Sequence, residues 1–113
     1  MRRIAVGLFL SVLLSGFAPE ASAQWYANGS LHRANGAEWK AATSANRLAT
    51  AADFAVTTLG KARVKSMGSM DRLKPYAQEM SSCLDEALAG TTGNKMQVAE
   101  VAAACAVLMG WVR

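Results

Sequence analysis

The chain has 113 residues, of which 52% are hydrophobic and 18% charged, and a formal net charge of +4. That length makes one small domain, and so slight a positive charge excludes the basic surface that nucleic-acid binding requires. With two cysteines and one histidine, no Cys/His cluster for zinc is present, and any histidine-dependent catalysis would have to use that one histidine.

Residues 1–23 begin Met-Arg-Arg, continue through the largely apolar run Ile4–Leu14, and end in small residues at Ala21-Ser22-Ala23. This is the pattern of a cleavable secretory signal. A run of eleven residues falls well short of the roughly 20 that a membrane-spanning helix needs. Cleavage between Ala23 and Gln24 is expected, with delivery to the periplasm or full secretion and no transmembrane segment left behind. No cysteine sits at the cleavage site to carry a lipid, since Gln24 follows Ala23.

The remaining 90 residues, Gln24 to Arg113, hold ten Lys and Arg against seven Asp and Glu. A domain of this size buries only about 60–65% of its unfolded surface, so it usually needs a staple. Cys83 and Cys105 are the two cysteines, and in an oxidising compartment they have one possible pairing. They form no C-x-x-C, so a structural bridge is expected rather than redox chemistry.

Residues 24–36 lack a helical period and contain the turn signals Asn28-Gly29 and Asn35-Gly36. An irregular arm whose aromatics pack onto helices is expected, with a small hairpin across Asn28-Gly29 as the alternative. Residues 37–59 are expected to be helical in two pieces. The first is Ala37–Ala42, with Glu38 at its positive end. Thr43-Ser44 then offers a new N-cap for a helix from Ala45 to Leu59, ended by Gly60. Residues 61–69 read as a basic connector that could add one helical turn before Gly68.

From Met70 to Ala89, the residues Leu73, Tyr76, Ala77, Met80, Leu84 and Leu88 recur at helical spacing. Pro75 either bends this helix or marks its true start. Residues 90–94 form a turn, with Asn94 and Gln97 resembling a capping pair. The last helix is expected over Lys95–Val112. Between Val98 and Val112 its one charged residue is Glu100. A helix apolar on every side is normally buried on every side. It is therefore expected at the centre of the bundle, with Ala103 and Val107 covered; the alternative is that one face is kept for a partner.

The fold class that follows is all-α: a small bundle of three to four helices with an irregular N-terminal arm. Residues 70–112 make an antiparallel helical hairpin bridged by Cys83 and Cys105.

His32 is the one histidine and reads as a solvated loop residue. Asp85 and Glu86, with Glu79 on the same polar face, are either a solvated surface or an acidic contact patch. Lys61, Arg63 and Lys65 are either a solvated connector or a contact for an anionic surface. Met80 and Met109 fit the core stripes, and the tryptophans Trp25, Trp39 and Trp111 are expected to close the ends of the bundle. No phosphate-binding loop, catalytic constellation, metal set or cofactor motif is present. In size, export signal and lone disulfide the chain resembles small periplasmic helper proteins, such as acid-stress chaperones and toxin-neutralising immunity proteins. That likeness is one of architecture alone, and architecture does not determine function.

The expectation is a non-enzymatic exported protein that binds a protein partner in the cell envelope: an inhibitor, immunity or chaperone-like factor, with no cofactor and with homodimerisation open. The alternatives are a small secreted enzyme working through carboxylates and a protein that binds the envelope surface.

Overall fold

The computed structural model describes residues 24–112; the expected signal segment lies outside them. In chain order the elements are α1 (Gly36–Ala41), α2 (Ser44–Leu59), α3 (Lys61–Ser66), a 3-10 turn (Met70–Leu73), α4 (Lys74–Ala87), the single turn α5 (Gly90–Gly93) and α6 (Val98–Leu108). Among the described residues there is no β-strand beyond one isolated bridge, Asn35 to Gln97. No described helix is long and apolar enough to cross a membrane.

Local chemistry sets most of the boundaries. Asn35 and Glu38 form a reciprocal capping box at the start of α1: each side chain accepts the other's backbone N–H at 2.9 Å. Thr43 Oγ1 accepts from Asn46 N at 3.1 Å and starts α2. Gly60, at φ +93°, ends it. The basic stretch continues as the short helix α3, longer than the connector expected from its composition. Pro75 sits in the first turn of α4, where a missing N–H costs no helical bond, so it marks the start rather than a bend.

The last helix is shorter than its apolar run. It begins at Val98, not Lys95, and Gln97 at the N-cap makes no side-chain capping bond. The expected pairing of Asn94 with Gln97 therefore does not cap it. Instead the arm takes this backbone: Val98 N donates to Ala34 O at 3.0 Å and Gly36 N donates to Met96 O at 2.9 Å. The other end is closed by a Schellman motif. Gly110 has φ +78°, Trp111 N donates to Ala106 O at 2.9 Å, and Gly110 N donates to Val107 O at 3.0 Å. That turn folds Trp111 back against the core, edge-on to Tyr76 at 5.6 Å between ring centroids.

The core is built around α2. Its buried face is Ala49, Thr50, Ala51, Ala52, Ala55 and Leu59, and these mostly small side chains let neighbouring helices approach closely. Leu73, Ala77, Met80, Leu84 and Leu88 pack onto it from the 3-10 turn, α4 and its C-cap, and Val98, Val101, Ala102, Cys105 and Ala106 from α6. Cys83 and Cys105 are bonded, with Cα atoms 6.1 Å apart, and join α4 to α6.

The arm is irregular and carries no hairpin. It is stitched to α2 through polar groups. Thr50, fully buried, accepts from Leu31 N at 3.2 Å through Oγ1 and donates to Asn46 Oδ1 at 3.3 Å. Asn46 in turn exchanges bonds with Ser30, accepting from its N at 2.9 Å and donating to its Oγ at 2.8 Å. Leu31 and Ala34 join the core.

Of the tryptophans, Trp39 lies fully inside the core and Trp111 is buried at the end of α6. Trp25 is half-buried, with its Nε1 donating to Asp71 at 3.4 Å and the Lys74 ammonium 5.6 Å from its ring centroid. Met80 is fully buried, while Met109 is partly buried against the core.

Candidate functional site

The last helix does not take the central position expected for it. Only one side of α6 is covered, the side of Val98, Val101, Ala102, Cys105 and Ala106. Ala99, Glu100, Ala103, Ala104, Val107 and Leu108 are exposed. Val107 is 57% exposed and Leu108 is 82% exposed, the largest value among the big hydrophobic side chains of the described residues. The expectation that Ala103 and Val107 are buried is therefore corrected. The physical reason is the position of α6: it packs against α2 and α4 from one side, and nothing in the described chain lies beyond it.

Two grooves flank this face. One, of about 290 Å³, runs along α2 and is lined by His32, Asp53, Phe54, Thr57, Thr58, Ala99, Ala102 and Ala103. The other, of about 400 Å³, lies toward α4 and is lined by Ala87, Lys95, Met96, Gln97, Glu100, Val101 and Ala104. An exposed aliphatic ridge between two grooves is the shape a helix or loop of another protein can engage.

His32 is not simply solvated. Its Nε2 lies 2.7 Å from Asp53 Oδ2, with both side chains about half exposed, and its ring meets Phe54 edge-on at 5.7 Å. A His–Asp pair orients an imidazole, but hydrolysis of the triad type also needs a nucleophile held against it. The nearby hydroxyls are committed elsewhere: Thr57 Oγ1 donates to Asp53 O at 3.0 Å and Thr58 Oγ1 to Phe54 O at 2.8 Å. The pair ties the arm to α2. Sequence reasoning missed it because the partners lie 21 residues apart and no local motif joins them.

The other candidate residues separate into different settings. Lys61, Arg63 and Lys65 are all exposed on α3, and Arg63 Nη1 donates to Trp111 O at 3.3 Å, beside the end of α6. Asp85 accepts from Trp39 Nε1 at 2.8 Å and lies 3.9 Å from Arg47 Nε, so part of its charge serves the fold. Glu86 and Glu79 are exposed. Among the described residues no group of three or more His, Cys, Asp or Glu side chains is placed to hold a metal ion.

The chain matches no protein-family model, and neither a curated protein nor a solved structure shows significant similarity to it.

Proposed function

We propose that this is a small exported protein that works by docking a protein in the cell envelope, without catalysis of its own. The outward face of α6 carries this reading. Val107 and Leu108 stand 57% and 82% exposed, and fully burying one such side chain is worth about 1.5–3 kcal/mol. A 90-residue chain that leaves this stabilisation unused holds a face suited to a partner. The disulfide supports export, since such bonds persist in oxidising compartments. In this reading residues 1–23 are the cleaved signal, and the rest is a bundle of three to four helices ending in an antiparallel hairpin.

The test is affinity capture from envelope extract with the wild type and with Leu108→Glu. A defined partner held by the wild type and released by the variant is expected. Equal capture by both would place the docking surface elsewhere and overturn the reading. Mass spectrometry of the exported protein checks its location: a mature chain beginning at Gln24 is expected, and Arg2 retained would refute cleavage.

A further inference from the structure

We infer that the partner of α6 is a second copy of this chain, docked antiparallel through the same face with Leu108 of each copy in the other's groove between α4 and α6. The inference rests on the proposed role of α6 as a docking face.

Register carries it. Leu108 is the last residue of α6 and follows Ala104 and Glu100 at intervals of four, so all three share one flank of the helix. That flank also holds the groove of about 400 Å³ lined by Ala87, Met96, Val101 and Ala104 with Lys95 and Glu100. The protruding side chain and the cavity thus belong to the same flank, about two turns apart. A two-fold axis perpendicular to α6 keeps each flank beside its own copy while reversing the helix direction. With the axis at Ala104, Leu108 of one copy falls level with Glu100 of the other, at the groove. Ala104 meets itself across the axis, where its small side chain permits close approach. Such an interface is self-complementary, as a closed two-fold dimer requires.

The charges agree with this direction. Glu100 is the one charged residue on the outward face between Val98 and Leu108. Parallel pairing would set the two carboxylates side by side. The antiparallel register separates them by about 12 Å along the axis, from a rise of 1.5 Å per residue, beyond the Debye length of about 8 Å at physiological salt.

Area sets the strength. A stable dimer takes about 800 Å² from each partner. One ridge of Ala99, Ala103, Ala104, Val107 and Leu108 with one groove is a smaller contact than that, so a weak, concentration-dependent dimer is expected.

The experiment is sedimentation velocity from about 10 µM to about 1 mM on the wild type, Leu108→Glu and Ala104→Glu, with thermal melts of each. A photoreactive phenylalanine derivative at position 108, in mixed isotopically light and heavy chains, maps the contact. A concentration-dependent wild-type dimer is expected. Each variant should dimerise at least about tenfold more weakly, a loss of about 1.4 kcal/mol, with its melting unchanged. Light-to-heavy cross-links from position 108 should fall on the Lys95–Met96 or Ala87 segments. A wild type that stays monomeric throughout, a dimer unaffected by both variants, or cross-links to other segments would overturn the inference. If a monomeric wild type still captured a different protein through Leu108, the dimer would fail while the docking role of α6 stood.

Discussion

The indole N–H of Trp39 donates to the carboxylate of Asp85 at 2.8 Å, linking α1 to α4 across 46 residues of sequence. Trp39 is fully buried, so this bond satisfies a donor that has no access to water. Arg47 reinforces the same corner. Its Nη1 donates to the carbonyls of Trp39, Lys40 and Ala42 at 3.4, 3.3 and 2.9 Å, closing the C-terminal end of α1, where a cation is favoured.

Replacing Asp85 by Ala leaves the buried indole N–H without an acceptor. Stability should fall by about 1–3 kcal/mol, measured by urea denaturation. Asp85→Asn keeps an acceptor oxygen and should cost clearly less. Equal losses in the two variants would show that the charge, not the hydrogen bond, matters.

Gly36 and Gly93 are in backbone contact: a Cβ at Gly36 would collide with the carbonyl of Gly93. Relief requires moving the turn before α6 and breaking its bonds to the arm. Gly36→Ala should therefore destabilise by more than about 2 kcal/mol. Gly90 is the contrast. At φ +81° it has open space around it, so Gly90→Ala meets only backbone strain of about 1–2 kcal/mol. Thermal melts of the two variants should rank in that order.

Removing the Cys83–Cys105 bridge frees a loop of 22 residues in the unfolded chain. The double variant Cys83→Ser, Cys105→Ser should lose about 2–5 kcal/mol. Non-reducing peptide mapping of the wild type should find the bond within one chain. Finding both thiols free would exclude the bridge.

On α6, adjacent residues should respond in opposite ways to the same charge. Val107→Glu adds a carboxylate to an exposed position and should change stability by no more than about 0.5 kcal/mol. Ala106 is fully buried, so Ala106→Glu forces an unpaired charge into the core and should unfold the domain. Circular dichroism at increasing temperature separates the two. A severe loss for Val107→Glu would return α6 to the centre of the bundle.

The helical class, the Thr43 cap of α2 and the disulfide were legible because each depends on neighbours in sequence or on a count. Leu73, Ala77, Met80, Leu84 and Leu88 recur at helical spacing, Thr43 precedes α2 as a cap, and two cysteines admit one pairing. Asn35-x-x-Glu38 carries its capping box in the local sequence as well. The arrangement of α6 was not legible. Its apolar residues surround the helix, so no periodicity marks the side that meets the core. The tertiary structure made that choice. α6 packs against α2 and α4 through one side only, which left Val107 and Leu108 outside. The backbone bonds from Ala34 and Gly36 to Val98 and Met96, and the pairing of His32 with Asp53, likewise depend on distant segments meeting. Local propensity carries no record of such meetings, because their free energy exists only once the core has formed.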